Sequence, residues 1–147
     1  MIDDWFVSDS TMPGYDNCIL PCSWNGAIFG KWFSAGGLGP VGSPINNGGG
    51  PGHHWWGNGS AQDFHGSQGH GAIMHRCCWA AEAFRVHGAI WSHYVSEGGA
   101  TGWLGYPESD ESQDGIWRRS DFEEGYICWW NGTAFDWEWD PGGKNDC

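Results

Sequence analysis

Two stretches of this chain carry the same residues in the same order, and that internal repeat constrains its fold more than any other feature. The first runs Gly26-Ala27-Ile28, Trp32, Gly36-Gly37 and Val41-Gly42-Ser43-Pro44. The second runs Gly88-Ala89-Ile90, Tyr94, Gly98-Gly99 and Leu104-Gly105-Tyr106-Pro107. The offset is 62 residues at the start (26 to 88) and 63 at the Gly-x-Pro (42 to 105), so one residue has been gained between. Self-similarity at such a period marks a stacked or radial repeat architecture, in which function sits on surfaces that recur from unit to unit.

The local pattern within each copy is helical first. Ile28 with Trp32, Phe29 with Phe33, Ile90 with Tyr94 and Trp91 with Val95 are apolar pairs four apart. Such pairs share a helix face and predict helices of about ten residues over 26–35 and 88–97, with the stripes in the core. Asn25 is placed to cap the first helix, and the Gly-Gly pairs to end both in left-handed geometry. After Pro107 a polar loop over 108–115 is expected, then a strand over 116–122. Next comes a hairpin, 126–130 and 133–139, turned by Asn131-Gly132, since both turn residues accept positive φ. On its return strand Phe135, Trp137 and Trp139 share one face, with Asp136 and Glu138 on the other. Residues 62–84 echo the pattern through Gln62-Asp63-Phe64, Gly71-Ala72-Ile73 and Ala83-Phe84.

The second copy, with Asp110-Glu111, Phe122 and Gly125-Tyr126-Ile127 following its Leu-Gly-Tyr-Pro tetrad, resembles the LGFP repeat. The resemblance covers residues 85–140 well and 23–84 less well. In the first copy the tetrad becomes Val-Gly-Ser-Pro, and a Gly-, Asn- and His-rich insertion replaces the acidic pair. Family members stand in tandem, often appended to actinobacterial cell-wall enzymes, where they are thought to hold cell-wall polysaccharide. The implied fold is α+β: tandem units of a short helix followed by antiparallel strands and a hairpin, packed pseudo-symmetrically like a propeller. The expected organisation is a single domain over 1–147. An N-terminal closing segment (1–22) precedes repeat 1 (23–84, insertion 45–60), repeat 2 (85–140) and a tail (141–147).

The net charge of −12 argues against nucleic acid and against anionic membrane surfaces. No apolar run approaches the ~18 residues of a membrane span. Met1-Ile2-Asp3-Asp4-Trp5 is not followed by a charged-then-apolar secretory leader. Six cysteines, Cys18, Cys22, Cys77, Cys78, Cys128 and Cys147, allow three disulfides. Adjacent Cys77 and Cys78 favour separate partners, for which Cys18 and Cys22 are candidates, while Cys128 with Cys147 would tie down the tail. Free thiols and zinc are the alternatives; Cys18-x3-Cys22 lacks the usual Cys-x2-Cys spacing. Oxidised cysteines imply an extracellular or cell-surface protein, and reduced ones without a leader a cytoplasmic one.

Thirteen tryptophans exceed what a core of this size needs, so some are expected at a ligand or a subunit interface. An indole face suits the C–H face of a sugar ring, while Asp, Glu and Arg bond its hydroxyls. The candidate glycan-binding residues are Trp103, Tyr106, Asp110, Glu111, Trp117 and Arg118, with Trp129 and Trp130 beside them through the hairpin. Trp103 and Tyr106 are alternatively the packing of their own loop. His54, Trp55 and Trp56, in the run His53-His54-Trp55-Trp56, read as a recognition loop, or else as a loop held against the core or a subunit contact. No metal centre and no cofactor are expected; His65, His70 and His75, spaced by five, suit neither one helix face nor one strand face. Asp110-Glu111 and Glu123-Glu124 invite a hydrolase reading. Neighbours on a strand point apart, however, whereas a glycosidase needs two carboxyls facing across ~5–9.5 Å; Asp110 with Glu123 is the combination left. The expected function is that of a non-catalytic carbohydrate-binding protein, a lectin or cell-wall glycan-binding module. The alternatives are a self-assembling extracellular surface protein with Trp-rich subunit contacts, a homo-oligomer, and a small glycan hydrolase.

Overall fold

A computed structural model describes residues 23–44, 53–76, 80, 82–143 and 145–147. Both predicted helices are present, α1 over Ser23–Ser34 and α2 over Gly88–Ser96. Each ends where the backbone turns left-handed, at Gly36 and Gly37 and at Gly98 and Gly99. Ile28, Trp32, Ile90 and Tyr94 are buried as their spacing requires. The second stripe is less regular: Trp91 is buried, but Phe33 and Val95 face solvent. Helix α1 starts two residues before Asn25, which therefore lies in its first turn and is not the cap.

Among the described residues nine strands follow a simple antiparallel plan. β1 (Ser43–Pro44), β2 (His53–Trp55), β3 (Gly59–Gly66), β4 (Gly69–Arg76) and β5 (Phe84–His87) form one sheet. Its order is β1-β3-β4-β5, with β2 also paired to β3. β6 (Ser112–Asp114), β7 (Trp117–Asp121), β8 (Gly125–Trp130) and β9 (Thr133–Glu138) form the second, a meander in chain order. The fold is therefore α+β with two open antiparallel sheets. The hairpin turn is as expected, Asn131 and Gly132 both at positive φ (51° and 85°). The 108–115 segment is not all loop, because β6 pairs with β7.

The first sheet lies between the helices. Ile28 and Trp32 of α1 pack with Val41, Phe64 and Ile73 on one face. Ile90, Trp91 and Tyr94 of α2 pack with Ala61, Ala72, Met74 and Val86 on the other. Leu104, Tyr106, Phe122 and Ile127 continue that second cluster into the second sheet, so α2 is shared by both sheets. Burial on both faces explains why β3 and β4 show no clean alternation of exposure. Ion pairs also join the units: Lys31 Nζ lies 2.7 Å from Asp110 Oδ2, and Arg76 Nη1 3.0 Å from Glu123 Oε2.

The retained Gly-x-Pro has a steric cause in each unit. Gly42 has φ +94°, and a Cβ there would sit 1.9 Å from the His65 carbonyl oxygen. Gly105 has φ +77°, and a Cβ there would sit 2.8 Å from Glu123 Oε1. Only glycine fits both conformation and space.

The closing segment 1–22, the insertion's residues 45–52, and Cys18, Cys22, Cys77 and Cys78 lie outside the described residues. Cys128 and Cys147 are joined, their Cα atoms 5.8 Å apart, as expected for the tail.

Candidate functional site

The second sheet divides the predicted cluster between its two faces. Cross-strand register places Arg118 opposite Trp129, and Ile127 opposite Asp136. With Ala134 these form the inner face, turned toward α2. Trp117, Arg119, Tyr126, Cys128, Trp130, Phe135 and Trp137 alternate with them and form the outer face.

On the outer face the rings form one continuous chain. Trp130 and Trp117 are 6.2 Å apart at their centroids, Trp117 and Phe135 6.1 Å, and Phe135 and Trp137 5.9 Å. The chain continues through Tyr126, stacked 5.6 Å from Trp137, to Trp139, 4.9 Å further on. Phe135 is 46%, Trp130 45% and Trp137 38% exposed. The usual two-sided strand is thus reversed in β9, whose aromatic side faces solvent while Asp136 faces the helix. The Arg119 guanidinium covers the Tyr126 ring at 4.3 Å. The tail crosses this end of the face. Arg119 Nη1 donates to the Asn145 carbonyl at 2.5 Å, Tyr126 Oη donates to the Asp146 carbonyl at 3.2 Å, and the disulfide fixes Cys147. The Cys147 N–H, and after it Arg119, hold the Asp114 carboxyl below its ordinary pKa.

The inner face opens onto a polar cleft of about 240 Å³ between the units, lined by Ala35, Gln68, Arg85, His87, Asp110, Glu111 and Arg118. A contiguous space of about 180 Å³ runs past Arg118 to Ile90 and the Trp129 ring. Arg118 Nε donates to Glu111 Oε2 at 2.7 Å, and the Arg85 backbone N–H to Asp110 Oδ1 at 2.9 Å. The Arg85 side chain donates to Gln68 Oε1 at 2.7 Å and to the Pro40 carbonyl at 3.2 Å. Burial lowers the Arg85 pKa, partly offset by Glu111 and Asp110. Burial first, and then Arg85, lowers that of His87. His87 Nδ1 has no hydrogen-bond partner among the described residues.

Asp110, Glu111, Arg118 and Trp129 therefore meet in the cleft, while Trp117 and Trp130 meet on the opposite face. Tyr106 corrects its prediction: at 1% exposed it is core, with its hydroxyl bonded to the Trp56 carbonyl, and offers no face to a ligand. Trp56 is likewise not on a free recognition loop. It follows edge strand β2 and packs edge-on against Trp91 and Tyr94, at 5.9 and 6.2 Å. Trp55 is half exposed on β2, and the His54 side chain lies outside the description. Trp103 is partly exposed. Phe135, Trp137, Tyr126 and Arg119 were not among the predicted site residues, although the alternation of the last hairpin already put the two aromatics on one face. Gln68, Arg85 and His87 had no such signal, since only the pairing of β4 with β5 and the hydrogen bonds of Arg85 to Asp110 and Gln68 bring them to the cleft.

No protein-family model matches this sequence, and no curated protein matches it.

Proposed function

We propose that this chain is a non-catalytic carbohydrate-binding protein of the extracellular space or cell surface, built from two LGFP-like units in a propeller-like tandem. One observation carries the reading: the ring chain Trp130–Trp117–Phe135–Trp137 lies on the solvent side of a sheet, while Asp136 of β9 points inward. A contiguous exposed apolar surface on a chain of net charge −12 calls for a ligand or a partner. Flat rings suit the C–H faces of a polysaccharide. The inner cleft, with paired Arg118 and Glu111 beside Trp129, supplies hydrogen-bonding groups of the kind that orient one sugar residue. Covering half of one indole contributes about 2 kcal/mol.

The repeat resemblance supports the same reading, as does the equal burial of Ile28 and Ile90 and of Val41 and Leu104 at matched positions. The Cys128–Cys147 disulfide is compatible with an oxidising location. Among the described residues no helix is long and apolar enough to cross a membrane. The hydrolase reading is the weaker one, because Asp110 and Glu123 are committed to different cations, Lys31 and Arg76. Self-association is the second reading, favoured by the same exposed aromatic face, and a homo-oligomer would gain avidity for a repeating glycan.

A glycan array together with cell-wall polysaccharide pull-downs tests the proposal. Binding by the folded wild type is the expected result, and blank outcomes in both with folded protein end it. Sedimentation separates the second reading: assembly without glycan binding favours it, and a strict monomer at high concentration removes it.

A further inference from the structure

The inward turn of Asp136 brings it against the last turn of α2. His93 and Glu97 lie four residues apart there, on one side of the helix. His93 Nε2 is 2.7 Å from Asp136 Oδ2 and 3.7 Å from Glu97 Oε1. One ligand atom from each of the three residues lies within 4.8 Å of the other two, and no other group of three does so among the described residues. A carboxylate oxygen of Glu97 lies within 4.8 Å of one of Asp136. Two carboxylates so close repel one another unless a proton or a cation lies between them.

We propose that His93, Glu97 and Asp136 form a binding site for a first-row divalent cation, zinc above all. One imidazole nitrogen and two carboxylate oxygens are the donors zinc accepts, at ~2.0–2.2 Å, and in a tetrahedron such ligands stand ~3.3–3.5 Å apart. The His93–Glu97 separation is close to that already. The His93–Asp136 contact is a hydrogen bond that opens by less than ~1 Å when the imidazole carries its hydrogen on Nδ1 and presents Nε2 to the metal. Water takes the fourth position. Calcium, which takes ~6–8 oxygens, is a poor match for three donors of which one is nitrogen. The ion would pin the end of α2 to β9 directly behind the aromatic face. The site is independent of what that face binds.

The test uses the full chain, oxidised, with any free thiols alkylated so that cysteine does not compete, and stripped of metal with a chelator. Zinc chloride is then titrated by calorimetry and by thermal unfolding, with calcium chloride as comparison. One zinc per chain is expected. Metal held ~100-fold above its Kd should raise Tm by about 5–10 °C. Glu97→Gln, at the most exposed of the three positions, should keep the fold by circular dichroism and lose affinity at least about tenfold, and Asp136→Asn should lose as much. His70→Gln, which removes a His–carboxylate contact elsewhere in the fold (His70 Nε2 to Asp63 Oδ2, 3.0 Å), should bind like wild type. Absence of saturable one-to-one binding overturns the proposal. So does binding unchanged in folded Glu97→Gln, or binding that disappears in His70→Gln.

Discussion

The Tyr94 hydroxyl donates a hydrogen bond to the Gly105 carbonyl at 2.7 Å, and the matching residue of the first unit, Trp32, does the same through Nε1 to Gly42 at 2.8 Å. Two different side chains at equivalent helix positions satisfy the carbonyl of the same repeat glycine. The two copies therefore share a working contact as well as a spelling: the helix is tied to the left-handed turn that leads into its sheet. Burial raises the Tyr94 pKa far above its ordinary value, so the hydroxyl remains a donor at any physiological pH. Tyr94→Phe should lower stability by about 1–3 kcal/mol, because it leaves a buried carbonyl unpaired. In urea unfolding the midpoint should fall with the slope unchanged. An unshifted midpoint would mean that the bond contributes nothing net.

Glycines at different points of the repeat should respond oppositely to alanine. At Gly30, exposed in α1, an added Cβ meets nothing within 4 Å. Gly30→Ala should stabilise by about 0.5–1 kcal/mol through helix propensity. At Gly42 the added Cβ collides with the His65–Gly66 backbone. Gly42→Ala should cost at least about 3 kcal/mol or abolish folding. Thermal melts of the two variants check the contrast, and a mild effect at Gly42 would show that the β1–β3 contact yields easily.

The Cys128–Cys147 bridge closes a loop of sequence separation 19 and presses the tail onto Arg119 and Tyr126. Cys147→Ser should therefore cost about 3 kcal/mol of stability. Releasing the tail should also make the face over Arg119 and Tyr126 more accessible, read as faster exchange of the residue 147 amide, which donates to Asp114 Oδ2. Exchange unchanged from wild type would show that the hydrogen bonds alone hold the tail.

What was legible in the sequence was local. The two helices, the Gly-Gly stops and the Asn131-Gly132 turn each depend on a few neighbouring residues, and the structure has them, with Ile28, Trp32, Ile90 and Tyr94 buried but Phe33 and Val95 outside the core. Strands β2 and β6 were read as loop because each has three residues, and its pairing with β3 or β7 carries no local signal. Alternation gave the two faces of β9 but not which one is inside. The choice is made by α2, whose His93 receives Asp136. For Tyr106 and Trp56 the packing alternative holds, and exposure of an aromatic in a Gly-rich stretch depends on what folds over it. The His93–Glu97 spacing was visible in the sequence as well, but only the fold supplies Asp136.

His87 gives the cleft a pH signature. Its folded pKa lies below the ordinary value of 6.5, held down by burial and then by Arg85 against the opposing pull of Glu111 and Asp110. The unfolded chain therefore binds the proton more readily than the folded one. Above ~pH 7 both states carry a neutral imidazole and there is no penalty. As pH falls below 6.5 the unfolded state gains protons first, and stability declines until the folded state also titrates. In His87→Gln this component is absent. The stability difference between variant and wild type should be constant above ~pH 7 and move in the variant's favour below 6.5, measured by urea unfolding across pH. A difference independent of pH would exclude His87 from the linkage.

Outer-face and core aromatics should separate cleanly in a glycan-binding assay. Trp137 and Trp130 are partly exposed and touch mainly other outer-face rings, so Trp137→Ala or Trp130→Ala removes platform without opening the core. Each should weaken polysaccharide binding by about tenfold, equivalent to ~1.4 kcal/mol, while moving the unfolding midpoint little. Tyr106 is the mirror case, since it is buried and its hydroxyl bonds to the Trp56 carbonyl inside the core. Tyr106→Phe should lower stability by about 1–3 kcal/mol and leave the affinity of the folded protein unchanged. Affinity electrophoresis in polysaccharide gels, paired with urea titration of the same three proteins, reads both axes at once. If Tyr106→Phe loses binding while Trp137→Ala keeps it, the ligand meets the core side of the fold and the outer face is not the platform.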